Sequence, residues 1–161
     1  MTDFSALLRA LNGVDVEFII VGGVAATVHG SARLTIDLDV LYRRTRENLA
    51  RVVQSLASYQ PYLRGAPPGL PFQWDAETLQ RGLNFTLITS LGPIDLLGEI
   101  TGGGTYEELL SDTVVVAVFG VECRCLTLDR LIQVKRAAGR VKDLEAIAEL
   151  EILREERADS Q

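Results

Sequence analysis

Apolar positions along the chain change period several times, and each change marks an element. Phe4, Leu7, Leu8 and Leu11 recur at helical spacing behind Asp3, which predicts a helix with an aspartate N-cap. Residues 17–21, Glu-Phe-Ile-Ile-Val, are a β-rich run ending at Gly22-Gly23, and residues 24–30 read as a short helix stopped by Gly30. Residues 36–42 predict a second strand. A helix follows over about 47–58, with Leu49, Val52, Val53 and Leu56 on one face. Residues 60–75 carry Pro61, Pro67, Pro68 and Pro71 with Gly65 and Gly69, the composition of a long loop; long ordered loops are often functional. Residues 83–89 alternate as a strand, 90–93 turn, and 94–100 open another strand. Gly102, Gly103 and Gly104 break the chain before a short helix over 105–110. Residues 113–118 and 121–126 predict a hairpin around Phe119-Gly120. From Leu128 the pattern is helical with a boundary near Gly139, and the charged tail after Leu153 is expected to fray. This order predicts one α/β (α+β) domain over 1–161: a mixed sheet with flanking helices and a C-terminal helical segment over 126–157.

Two positions break the pattern. Asp37 and Asp39 sit in the apolar run Ile36-x-Leu38-x-Val40-Leu41-Tyr42. On a strand, residues i and i+2 share a face, so two carboxylates lie side by side. Like charges that close repel, and one protonates unless a cation bridges them. Hard divalent ions such as Mg²⁺ take carboxylate oxygens and leave room for phosphate oxygens. Asp95 interrupts Ile94-x-Leu96-Leu97 in the same way. If the two strands are neighbours, three acids converge on a site suited to two metal ions and phosphoryl or nucleotidyl transfer. Asp-x-Asp alone is also common on exposed strands and turns. Upstream, Gly22-Gly23 follows an apolar strand and opens a helix, which lets backbone N–H groups approach a phosphate, or simply makes a tight turn.

Composition narrows the field. A chain of 161 residues, 47% apolar and 24% charged, supports a packed core. The net charge of −6 argues against broad, non-specific binding to a nucleic-acid backbone, which needs a basic surplus. The beginning shows no signal-peptide pattern, and no run approaches the roughly 18 apolar residues of a membrane span, so a cytoplasmic protein is expected. Cys123 and Cys125 are poor partners for each other in a disulfide and lack a second pair for zinc; they are read as reduced thiols.

Residues 21–40, Val-Gly-Gly-Val-Ala-Ala-Thr-Val-His-Gly-Ser-Ala-Arg-Leu-Thr-Ile-Asp-Leu-Asp-Val, resemble the signature of the DNA polymerase β-like nucleotidyltransferase superfamily. With Arg33-x-Thr35-x-Asp37-x-Asp39 they are similar to the small bacterial nucleotidyltransferases, including the nucleotidyltransferase component of abortive-infection toxin–antitoxin systems. The resemblance continues at Asp95 and in Leu131-Ile132-x-x-Lys135-x-x-x-x-Arg140-x-Lys142-Asp143. It implies a nucleotidyltransferase-like fold and metal-dependent transfer of a nucleoside monophosphate from an NTP to a hydroxyl on a small molecule, an RNA end or a protein. It implies Mg²⁺ or Mn²⁺, two ions, held by Asp37, Asp39 and Asp95, with Asp95 near the attacking hydroxyl and Gly22 and Gly23 lining the triphosphate. Gly23 stands where many members have serine. That departure supports the alternative, a non-catalytic nucleotide-binding or regulatory module, half of a toxin–antitoxin pair.

Other residues are candidates of lesser weight. Arg33 and Thr35 share the parity of the two acids if the strand begins early. Lys135, Gly139 and Lys142 share a helical face if that helix is continuous, with Arg140 adjacent; this basic cluster either holds the triphosphate or the acceptor, or is a solvated face. Asp143 reads as a partner for one of these bases. His29, the single histidine, reads as a packed helix-end residue. Phe72 and Trp74 either stack on a base or acceptor, or fold back on the core. A protein partner or a homodimer is compatible with so short a chain.

Overall fold

The computed structural model describes residues 1–160. Helix α1 (Phe4–Gly13) starts where the sequence predicts, with the Asp3 carboxylate accepting from Ala6 N at 3.0 Å, a cap contributing about 1 kcal/mol. Its apolar stripe, Leu7, Leu8 and Leu11, is wholly buried. The run β1 (Phe18–Val21) is buried at every position. Helix α2 (Gly22–Val28) begins at the first glycine, two residues earlier than the apolar pattern suggests. Strand β2 (Leu38–Tyr42) begins two residues later than expected, and Ile36 is 72% exposed. Helix α3 (Arg46–Leu56) carries the predicted face, with Leu49, Val52 and Leu56 buried.

The proline-rich segment is not structureless. It contains β3 (Tyr62–Leu63) and leads into α4 (Ala76–Arg81), capped by Asp75. Then come β4 (Phe85–Thr89), β5 (Gly92–Leu97), α5 (Tyr106–Leu109), β6 (Thr113–Val118), β7 (Val121–Leu126), α6 (Leu128–Ala138) and α7 (Leu144–Asp159). The β6–β7 hairpin turns at Phe119-Gly120, both at positive φ (48° and 79°), the backbone a two-residue hairpin loop requires. The tail after Leu153 stays helical to Asp159, and Arg157 donates to the buried His29 ring, so the expected fraying gives way to docking. The other His29 ring nitrogen contacts Leu126 O at 2.6 Å.

The seven strands form one mixed sheet in the order β3-β4-β5-β2-β1-β7-β6. β1 pairs antiparallel to β2 and parallel to β7, and β2 pairs parallel to β5. The middle of the sheet is therefore β5-β2-β1, brought together from segments far apart in the chain. Leu38, Val40, Ile94 and Leu96 lock it with side chains shut off from water, each worth about 1.5–3 kcal/mol of burial. Cys123 and Cys125 are buried free thiols on β7. Among the described residues, no helix is long and apolar enough to cross a membrane.

Candidate functional site

Register builds the site. Val21 lies opposite Asp39 across β1–β2, Asp39 opposite Asp95 across β2–β5, and Asp95 opposite Thr86 across β5–β4. Directly opposed residues share a sheet face, so Asp39 and Asp95 stand side by side. Asp37, one residue before β2, completes the group: one carboxylate oxygen from each of Asp37, Asp39 and Asp95 lies within 4.8 Å of the others. All three acids are partly buried.

Asp39 is the most constrained. Its Oδ1 is buried without a hydrogen-bond partner. Burial pushes its carboxyl up from 3.8 to about 7, helped by the charge of Asp95, a hydrogen bond shared with Asp95 and the charge of Asp37, and opposed by Arg64. Gly22 makes room for it. A Cβ there would lie 2.1 Å from Asp39 Oδ2, and the backbone has φ +66°, so no other residue fits without moving the carboxylate. Gly23 has a different neighbour: a Cβ would lie 2.6 Å from Thr35 Oγ1. The space on the Cβ side of the second glycine is therefore filled by the Thr35 side chain.

Arg64 is the residue that sequence reasoning missed. Its Nη2 lies 2.8 Å from Asp95 Oδ1 and its Nη1 3.4 Å from Asp37 Oδ2. It follows β3, and its backbone N–H donates to Thr86 O at 2.9 Å. Arg64, Thr86, Asp95 and Asp39 thus form a line across four strands, and the long side chain passes the short Thr86 to reach the acids. One signal was available. Arg64 is the single basic residue between Arg51 and Arg81, in a segment already marked as a long loop.

A cleft of about 420 Å³ opens beside the acids, lined by Gly22, Asp39 and Asp95 together with Lys135 and Arg140. Leu97, Ile100, Leu131 and Val134 give it apolar walls. The buried Asp143 holds both cations, at 2.7 Å from Arg140 Nε and 3.8 Å from Lys135 Nζ. Helix α6 does not continue to Lys142. Gly139 takes a left-handed C-cap (φ 64°), and Lys142 emerges exposed in the turn after Arg140 and is not among the residues that line the cleft.

Other candidates are placed elsewhere. Arg33 is exposed and pairs with Glu145 at 3.7 Å, because no strand ladder extends back to residue 33 to aim it at the acids. Thr35 donates to Asp37 O at 3.2 Å and so braces the acid-bearing turn. Trp74 folds back on the core and donates through Nε1 to Val53 O at 2.8 Å, with Phe72 packed near it.

The donor set suits a hard divalent cation. It is all carboxylate oxygen, three ligands within 4.8 Å of one another, with a buried oxygen on Asp39 that nothing among the described residues satisfies. Mg²⁺ or Mn²⁺ fits these residues.

The chain matches no protein-family model and no curated protein. It does resemble a solved structure, that of a "putative nucleotidyltransferase" from Thermotoga maritima. The two are 14% identical, and the match covers 92% of this chain and 94% of that one at a TM-score of 0.58. At that identity the likeness establishes the fold, which is nucleotidyltransferase-like: a mixed sheet flanked by helices with a C-terminal helical segment.

Proposed function

We propose that the chain is a metal-dependent nucleotidyltransferase that moves a nucleoside monophosphate from an NTP to a hydroxyl acceptor. The observation that carries this reading is the convergence of Asp37, Asp39 and Asp95, within 4.8 Å of one another, beside a cleft that Asp39 and Asp95 line together with Lys135 and Arg140. Cations suited to anions and acids suited to metal, lining one volume of nucleotide scale, fit a triphosphate bridged by metal.

Asp37, Asp39 and Asp95 would hold Mg²⁺ or Mn²⁺, which supplies charge neutralisation at the transferring phosphorus and lowers the acidity barrier of the attacking hydroxyl. Lys135 and Arg140 would neutralise the phosphates, with Asp143 fixing their direction. Gly22 leaves room for Asp39 beside the cleft, and the apolar walls give the nucleotide a surface to pack against. In the reaction, the acceptor oxygen forms a bond to the α-phosphorus and the α–β phosphoanhydride bond breaks. Pyrophosphate leaves with its electron pair, and Asp95 accepts the hydroxyl proton. The run from Leu131 to Asp143 supports placing the chain with the small bacterial nucleotidyltransferases that include toxin–antitoxin components, since Lys135, Arg140 and Asp143 of that run meet at the cleft.

Incubating the protein with each α-phosphate-labelled NTP, Mg²⁺ or Mn²⁺ and cell lysate tests the proposal. Label is expected on RNA, protein or a small molecule, whichever bears the acceptor hydroxyl, and is expected to vanish with Asp95→Asn. Nucleotide binding without transfer to any fraction would replace the enzyme reading with the regulatory-module one. Neither binding nor transfer would end both.

A further inference from the structure

Arg64 is anchored on more than the acids. Besides reaching Asp95 and Asp37, its Nη2 donates to Leu87 O at 2.8 Å. A backbone carbonyl in a strand is a fixed partner, present whatever the charge on the carboxylates. With its own N–H bonded to Thr86 O, the residue is held by β4 at both root and head. The side chain is 29% exposed. This is the arrangement of a permanent member of the site rather than a surface arginine resting on it.

Resting on the nucleotidyltransfer reading of the same site, we propose that the Arg64 guanidinium is a built-in cation that takes the place of one of two metal ions. The chain then binds a single divalent cation, on the Asp39 side, with each nucleotide. Charge supports this. Three carboxylates and one guanidinium leave two formal negative charges, the complement of one divalent ion. Space supports it as well. Paired ions in two-metal sites sit about 3.5–4 Å apart, and the guanidinium already engages one oxygen of Asp37 and one of Asp95 within a group only 4.8 Å across. What remains is centred on Asp39, whose unpartnered Oδ1 is buried and whose carboxylate lines the cleft with Lys135 and Arg140. Guanidinium suits the task because it stays charged at any working pH and engages carboxylates through a rigid fork.

Equilibrium dialysis against Mn²⁺, with the non-hydrolysable α,β-methylene analogues of the four NTPs, counts protein-bound metal per chain. Wild type is expected to saturate at one Mn²⁺, and Arg64→Met at two, with its first Mn²⁺ bound on the order of tenfold more tightly once the competing positive charge is gone. Two Mn²⁺ on wild type would overturn the proposal while leaving the transferase reading intact. One Mn²⁺ on both proteins would overturn it too, since Arg64 would then not be what limits the count. No Mn²⁺ on wild type with any analogue would remove this proposal and the reading beneath it together. Should Arg64→Met fail to fold, the electron paramagnetic resonance spectrum of Mn²⁺-saturated wild type decides alone: an isolated ion is expected, and a spin-coupled pair would refute the proposal.

Discussion

Replacing Asp39 with Asn should stabilise the metal-free protein. Asn keeps the size of the side chain and removes its charge. In the fold, burial and then the neighbouring Asp95 raise the Asp39 carboxyl from 3.8 to about 7. Between those values the folded chain holds a proton that the unfolded chain has lost, so stability falls as pH rises, and the full cost is reached above about pH 7. A rise of about three units at about 1.36 kcal/mol each puts the cost of ionised Asp39 at up to about 4 kcal/mol. In chelator near pH 8, Asp39→Asn is therefore expected to be more stable than wild type by about 2–4 kcal/mol, or very roughly 4–16 °C in Tm for a chain of this size. Near pH 4 Asp39 is mostly protonated, and the advantage should fall below about 1 kcal/mol. Adding Mg²⁺ and NTP should close the gap at high pH. A ligand at 100 times its Kd stabilises by about 2.7 kcal/mol, and the Asn variant gives up most of that. Thermal melts at both pH values, with and without chelator, check every part. A variant that melts below wild type in chelator near pH 8, or whose advantage is the same at both pH values, would refute the reasoning, because the carboxylate would then be satisfied by the protein.

Gly22→Ala should destabilise by about 1–3 kcal/mol, since it combines a left-handed backbone with a Cβ set 2.1 Å from Asp39 Oδ2; it should also abolish the rise in Tm that Mg²⁺ and NTP give wild type. Asp143→Asn leaves Lys135 and Arg140 without the carboxylate that aims them, at a cost of about 1–3 kcal/mol in chemical denaturation. Its affinity for an NTP analogue should fall on the order of tenfold by equilibrium dialysis, a drop of about 1.4 kcal/mol.

What the sequence determined by itself was local. The helical spacing of Leu7, Leu8 and Leu11, the apolar run before Gly22 and the Phe119-Gly120 turn are consequences of side-chain period and backbone sterics, which act within a few residues. The pairing of Asp37 with Asp39 was legible for the same reason, and the likeness of residues 21–40 to known nucleotidyltransferases pointed to the fold. Tertiary structure decided the rest. That Asp39 faces Asp95 depends on β2 and β5 pairing in parallel across more than fifty residues of chain, a register chosen by packing rather than by either strand alone. That Arg64 joins them depends on β3 and β4 extending the same sheet, so that one line of residues crosses from a loop to the acids. Gly139 ended α6 before Lys142 could continue the helical face of Lys135, and Trp74 went to the core because its indole N–H found the Val53 carbonyl there. Period and turn chemistry specify elements; which side chains meet depends on strand order and register, set by burial summed over the whole chain.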